Sequence, residues 1–128
     1  MQVLAKQYAD RADFLTIYIK EAHTTDGNQK DANETDGVCY QQPRTIADRL
    51  AIVADFTKRY DYAIPLLVDP MENTAELAFG SWPERLYVID GAGRIAWQGG
   101  QGPKDFDPEA LATWLEAHPL PDVVPAPG

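Results

Sequence analysis

The feature that most limits the fold is the way short apolar runs alternate with capped helices. Phe14–Ile19 is rich in β-branched and aromatic residues and reads as a buried strand. Pro65–Asp69 is a second such run and Arg85–Asp90 a third. Gly91-Ala92-Gly93 turns the third into a fourth, Arg94–Gln98, which is the pattern of a hairpin. A helix falls between the first two strands: Thr45 and Asp48 match the Ser/Thr-x-x-acid cap, and Ile46, Leu50, Val53 and Phe56 follow at helical spacing to about Tyr60. Asn73–Phe79 suits a helical turn. Asp107 caps a last helix with Pro108 at its first position, and Leu111, Trp114 and Leu115 give it an apolar face. Residues 1–10 carry the Leu4/Tyr8 spacing of a helix that has an end but no starting cap.

The order is therefore partial helix, strand, helix, strand, hairpin, helix. It predicts the α/β class with a mixed sheet. The 128 residues suit one domain, placed at 1–118, with a proline-rich tail at 119–128 that hangs free or packs as a strap. Gly99-Gly100-Gln101-Gly102 reads as a turn into the last helix, because no phosphate-cradle pattern accompanies it. Glu21–Gln42 is polar, with Asp26-Gly27 and Asp36-Gly37 as turn dipeptides, and is predicted to be a long loop.

Composition narrows the partners. A net charge of −9 disfavours nucleic acid and anionic membrane, since both are polyanions. No apolar run approaches the ~20 residues of a membrane helix, and the first ten residues lack a signal-peptide apolar block. The expectation is a soluble, cytoplasmic chain. The single cysteine, Cys39, excludes an intramolecular disulfide. Two histidines and one cysteine give no usual metal-ligand spacing, so no metal and no cofactor are expected.

The candidate site residues each admit two readings. Tyr18, Glu21 and His23 lie at the carboxyl end of the first predicted strand, where ligands gather in open α/β sheets. A carboxylate beside an imidazole fixes its tautomer and suits proton transfer near neutral pH; otherwise the strand simply ends in polar residues. Pro83, just before a strand, is either a cis proline beside a reacting centre or an ordinary trans proline. Arg85 would hold an anionic group or else pair with Glu84 or Asp90 at the surface. Cys39 is either a resolving thiol on a mobile loop or a small buried hydrophobe.

Several segments together resemble the iodothyronine deiodinases and their bacterial deiodinase-like relatives. They are Asp10-Arg11-Ala12-Asp13-Phe14-Leu15, Tyr18-Ile19-Lys20-Glu21-Ala22-His23 with Asp26-Gly27, Pro83-Glu84-Arg85-Leu86-Tyr87-Val88, and Gln98-Gly99-Gly100-Gln101-Gly102-Pro103. The resemblance runs to about Leu115. It implies a thioredoxin-like fold that lacks its first strand and part of its first helix. It also implies an oxidoreductase chemistry in which a selenocysteine or cysteine attacks iodine on an aromatic ring, with a thiol reductant as co-substrate. Glu21 and His23 would assist proton movement, and Tyr18 and Arg85 would help bind the small aromatic substrate. By this likeness the nucleophile lies before Met1 and is absent here; a selenoprotein-like frame resumed after a recoded codon, a real start with lost catalysis and a cysteine-type relative begun too late each account for it. The chain as written would then be inactive. Asn28 and Pro43 stand where the family commonly has tryptophan and where its vertebrate members have a second histidine. The competing readings are a non-enzymatic thioredoxin-like binding domain and a thiol-disulfide or peroxiredoxin-like protein using Cys39. Without a central strand, the first and third strands are expected either to pair directly or to bring two copies together as a homodimer.

Overall fold

The computed structural model describes residues 1–21 and 42–119. Cys39, His23 and most of the predicted Glu21–Gln42 loop lie outside the described residues, as does the tail beyond residue 119. The described elements follow the predicted order: α1 (Gln2–Gln7), β1 (Thr16–Tyr18), α2 (Ile46–Arg59), β2 (Leu66–Val68), α3 (Thr74–Phe79), β3 (Tyr87–Ile89), β4 (Ile95–Gln98) and α4 (Pro108–Ala117).

The caps form where the sequence places them. Thr45 Oγ1 accepts from the Asp48 backbone N–H, and the Asp48 carboxylate accepts from the Thr45 backbone N–H, so the box is reciprocal. Asp107 Oδ1 accepts from the N–H groups of Glu109 and Ala110 at the start of α4. These contacts satisfy donors that a helix start leaves without partners.

The strands form two pairs. β1 and β2 are parallel, with Thr16 opposite Leu66 and Tyr18 opposite Val68. β3 and β4 are antiparallel, with Tyr87 opposite Gln98 and an irregularity between Val88 and Ile89. The expected single mixed sheet is thus divided into a parallel and an antiparallel ladder, and β1 does not pair with β3. Tyr8, Leu111 and Leu115 form a buried cluster, and Phe14 just before β1 packs on it together with Leu86, Val88 and Trp97 from the hairpin. The hairpin is held to this layer by its own side chains, whereas the β1–β2 ladder is joined to it through Phe14, the residue that leads into β1.

The opposite face is barely covered. Ile17 and Leu67 are cross-strand partners and remain 38% and 55% exposed, while Ile89 and Ile95 are about half exposed. Short α3 reaches this face, with Phe79 against Tyr87 at 5.0 Å between ring centroids.

Helix α2 departs from expectation in its rotation. Its buried residues are Arg49 and Ile52, whereas Ile46 and Leu50 are largely exposed. Arg49 is 2% exposed and explains this. Its guanidinium donates to the carbonyls of Asp69 at 3.0 Å and Pro70 at 2.9 Å and to Asn73 Oδ1 at 2.6 Å. Bonds from a charged donor outweigh one more half-buried aliphatic side chain. Asp69, also buried, accepts from the Ala75 and Glu76 N–H groups at the start of α3, and its own N–H donates to the Tyr18 carbonyl. One buried pair of residues therefore joins α2, the end of β1, the end of β2 and α3.

Three outcomes follow for stability. Thr45→Ala is expected to cost about 1 kcal/mol in urea unfolding. The Asp48 carboxyl is held below its ordinary value, first by the Arg44 backbone N–H. Its stabilising contribution is therefore complete above about pH 4 and is lost as pH falls through that range; Asp48→Ala should flatten this acid limb. Arg49→Ala leaves three acceptors without their donor and is expected to cost about 3 kcal/mol, read as a lower urea midpoint.

Candidate functional site

The site assembles where β1 ends and the segment before β3 begins. Tyr18 is the last residue of β1, and its hydroxyl donates to Glu21 Oε1 at 2.5 Å. Glu21 is thus engaged by Tyr18. The imidazole of His23, its predicted partner, lies outside the described residues. The β1 end is pinned from below by the Asp69 N–H on the Tyr18 carbonyl at 2.8 Å.

The facing wall is the segment from Gly80 to Arg85. The Trp82–Pro83 peptide bond is cis, as is Gly102–Pro103. Arg85 makes neither of the surface ion pairs considered from sequence. Its Nε donates to the Gly99 carbonyl at 2.8 Å, an Nη to the Gly80 carbonyl at 3.3 Å, and its guanidinium lies 5.5 Å from the Tyr87 ring centroid. The arginine staples the Trp82 segment to the exit of β4. Gln101 Nε2 adds a second staple on the Trp82 carbonyl. Tyr87 donates its hydroxyl to the Phe79 carbonyl, closing the segment from the other side.

Glycines permit this close approach. A Cβ on Gly100 would lie 2.4 Å from Asp105 Cβ and 2.7 Å from its carbonyl oxygen; one on Gly102 would lie 2.4 Å from Glu84 Cγ. No side chain fits at either position without movement of its neighbour.

The two walls meet through residues that sequence reading did not single out. Lys20 Nζ lies 5.1 Å from the centroid of the Trp82 ring. The Trp82 indole nitrogen is buried and has no hydrogen-bond partner among the described residues. The only signal in the sequence was position: Lys20 lies within the Tyr18–His23 segment, and Trp82 precedes Pro83. Tyr18 and Glu21 are therefore brought together, Lys20 and Trp82 span the gap, and Arg85 stands behind the wall as its fastening. An apolar groove of about 400 Å³ lies on the bare face of β1 and β2, lined by Ile17, Leu67, Pro70, Ala75, Ala78 and Phe79 among others.

Among the described residues, no group of three or more His, Cys, Asp or Glu is placed to hold a metal ion. No helix among them is long and apolar enough to cross a membrane. Chemically, the arrangement offers a carboxylate–phenol pair, a cation on an aromatic face and an unpaired indole N–H.

Arg85→Met should loosen the wall. It removes two donors to backbone carbonyls, for an expected loss of about 2 kcal/mol. Amide hydrogen exchange should quicken at Gly99 and along the Trp82 segment while α2 stays protected.

Comparison with known proteins agrees with these motifs. The family model described as iodothyronine deiodinase matches residues 1–119. The thyroxine 5-deiodinase of Gallus gallus is 38% identical over 118 residues, covering 90% of this chain and 43% of that protein. That of Sparus aurata is 38% identical over 120 residues, covering 91% of this chain and 42% of that protein. That of Homo sapiens is 37% identical over 117 residues, covering 91% of this chain and 37% of that protein. The chain thus spans about two fifths of the length of the relatives it matches. It belongs to the iodothyronine deiodinase family.

Proposed function

We propose that this chain forms the substrate-binding and proton-handling part of a reductive deiodinase site, on a thioredoxin-like scaffold. The observation that carries the reading is the Tyr18–Glu21 hydrogen bond at the carboxyl end of β1, in a chain matched over residues 1–119 by the deiodinase family. The substrate is an iodinated aromatic. A thiolate or selenolate attacks iodine, the carbon–iodine bond breaks, and the aromatic carbon takes a proton. The resulting sulfenyl or selenenyl iodide is reduced by two equivalents of thiol, which leave as a disulfide while iodide is released. Glu21, held by Tyr18, supplies or relays the proton, with His23 as its proposed partner. Arg85 acts by fixing the Trp82 wall, since its guanidinium donates to the Gly99 and Gly80 carbonyls.

The attacking atom is the point at which the alternatives divide. In the leading reading it is not among these 128 residues, and the chain binds substrate without turnover. In the thiol reading it is Cys39. Purified chain incubated with an iodinated phenol and dithiothreitol decides between them through iodide release. The leading reading expects binding by calorimetry, no iodide above the thiol blank, and about fivefold weaker binding in Tyr18→Phe from the lost hydrogen bond. Iodide release abolished in Cys39→Ser would transfer the chemistry to Cys39. Failure of any iodinated aromatic to bind would sink the deiodinase reading for this chain.

A second proposal concerns assembly. β1 and β3 each have one hydrogen-bonded neighbour among the described strands, and exposed Ile17 and Ile89 lie on them. Two copies are proposed to associate through these edges. Sedimentation equilibrium should give a dimer that Ile17→Lys with Ile89→Lys converts to monomer; a wild-type monomer at all concentrations would rule it out.

A further inference from the structure

We infer that Lys20 and Trp82 form an anchoring pair that selects aromatic ligands carrying an anionic group. The inference deepens the deiodinase reading above and rests on it for the placement of the site.

Three observations carry it. First, among the described residues the Lys20 ammonium pairs with no carboxylate; its contact is the face of Trp82, 5.1 Å from the ring centroid. A cation on an aromatic face in a partly exposed position is held less strongly than one donating to a carboxylate. An incoming anion therefore outcompetes the ring for the ammonium. Second, the two members differ in freedom. The Trp82 segment is fastened by Gln101 on its own carbonyl and by Arg85 on Gly80 and Gly99. Lys20 sits on a flexible four-carbon stem. The cation moves and the ring stays. Its departure uncovers an aromatic face on which a ligand ring can stack. Third, the Trp82 indole N–H is buried with no acceptor among the described residues. Buried donors in folded proteins nearly always have one, and a ligand oxygen at this wall would supply it.

The setting sharpens the argument. The chain carries a net charge of −9, so its overall field repels anions. Binding an anionic ligand at the β1 end therefore needs a local cation. Arg85 is held by two carbonyls and the Tyr87 ring. Among the described residues of the two walls, Lys20 is the cation that can be handed over.

The test is charge discrimination by the full chain. Calorimetric titrations would use 3-iodobenzoate against 3-iodobenzamide, and benzoate against benzamide, at neutral pH. Wild type should bind each acid about tenfold more tightly than its amide, the worth of a charge-assisted hydrogen bond. Lys20→Met should bring the ratio to about one while amide binding is kept, and Lys20→Arg should restore the preference. Trp82→Leu should weaken acid and amide alike. A ratio unchanged in Lys20→Met overturns the inference, as does failure of wild type to bind any of the four compounds. A Lys20-dependent ratio with no preference for the iodinated pair supports the anchoring pair and counts against the deiodinase reading. Iodine preference without Lys20 dependence does the reverse. A lysine that only braced the fold would change melting temperature in Lys20→Met without moving the acid-to-amide ratio.

Discussion

Tyr8, Leu111 and Leu115 form the contact on which the described structure rests. Tyr8 is 5% exposed, and its hydroxyl donates to Glu116. Arg11 reaches the Leu115 carbonyl and lies 3.8 Å from Glu116. The start of the chain and its last helix are thereby locked into one layer. Burying each leucine contributes roughly 1.5–3 kcal/mol. More important is what the layer carries, for Phe14, Val88 and Trp97 all pack on it. It is the floor under the β3–β4 hairpin and under the Phe14 segment that leads into β1, while the two ladders share no strand pairing.

The second organising element is buried and polar. Arg49 and Asp69 connect helix, strand ends and turn through hydrogen bonds to backbone, not through an ion pair with one another. A buried guanidinium is tolerable only when its donors find acceptors; both Nη atoms do, on Asp69, Pro70 and Asn73, while Nε is buried without one among the described residues. Because the Asp69 N–H also holds the Tyr18 carbonyl, this cluster sets the height at which Tyr18 and Glu21 emerge. The candidate site is thus positioned from two sides: by Arg49 and Asp69 beneath β1, and by Arg85 behind the Trp82 wall.

The roles of the two arginines show why side-chain function is hard to read from a string. Both lie in recognisable elements. Arg85 sits in a family-like segment, and anion binding is a natural first assignment for an arginine near a site. Its partners are the carbonyls of Gly80 and Gly99, five and fourteen residues away in sequence, and only the folded chain brings them round it. Arg49 sits among apolar residues at helical spacing, and the apolar pattern alone turns the helix the wrong way. Ile46 and Leu50 were the predicted inner face, yet the acceptors around Arg49 fix the rotation and leave those two largely in water.

What the sequence determined by itself was local. Cap chemistry at Thr45–Asp48 and Asp107–Pro108, β-branched runs at β1, β2 and β3, and the Gly91–Gly93 turn act over a few residues, so element order was legible. So was the family, through the Tyr18–His23 and Pro83–Val88 segments. The tertiary structure alone decided which strands pair, which face of α2 is buried, and which side chains meet at the site. Where the hairpin and the Phe14 segment sit depends on packing against the Tyr8–Leu111–Leu115 layer, a balance among residues about a hundred positions apart. The Lys20–Trp82 contact depends on the same balance, because it spans two segments that no local rule brings together.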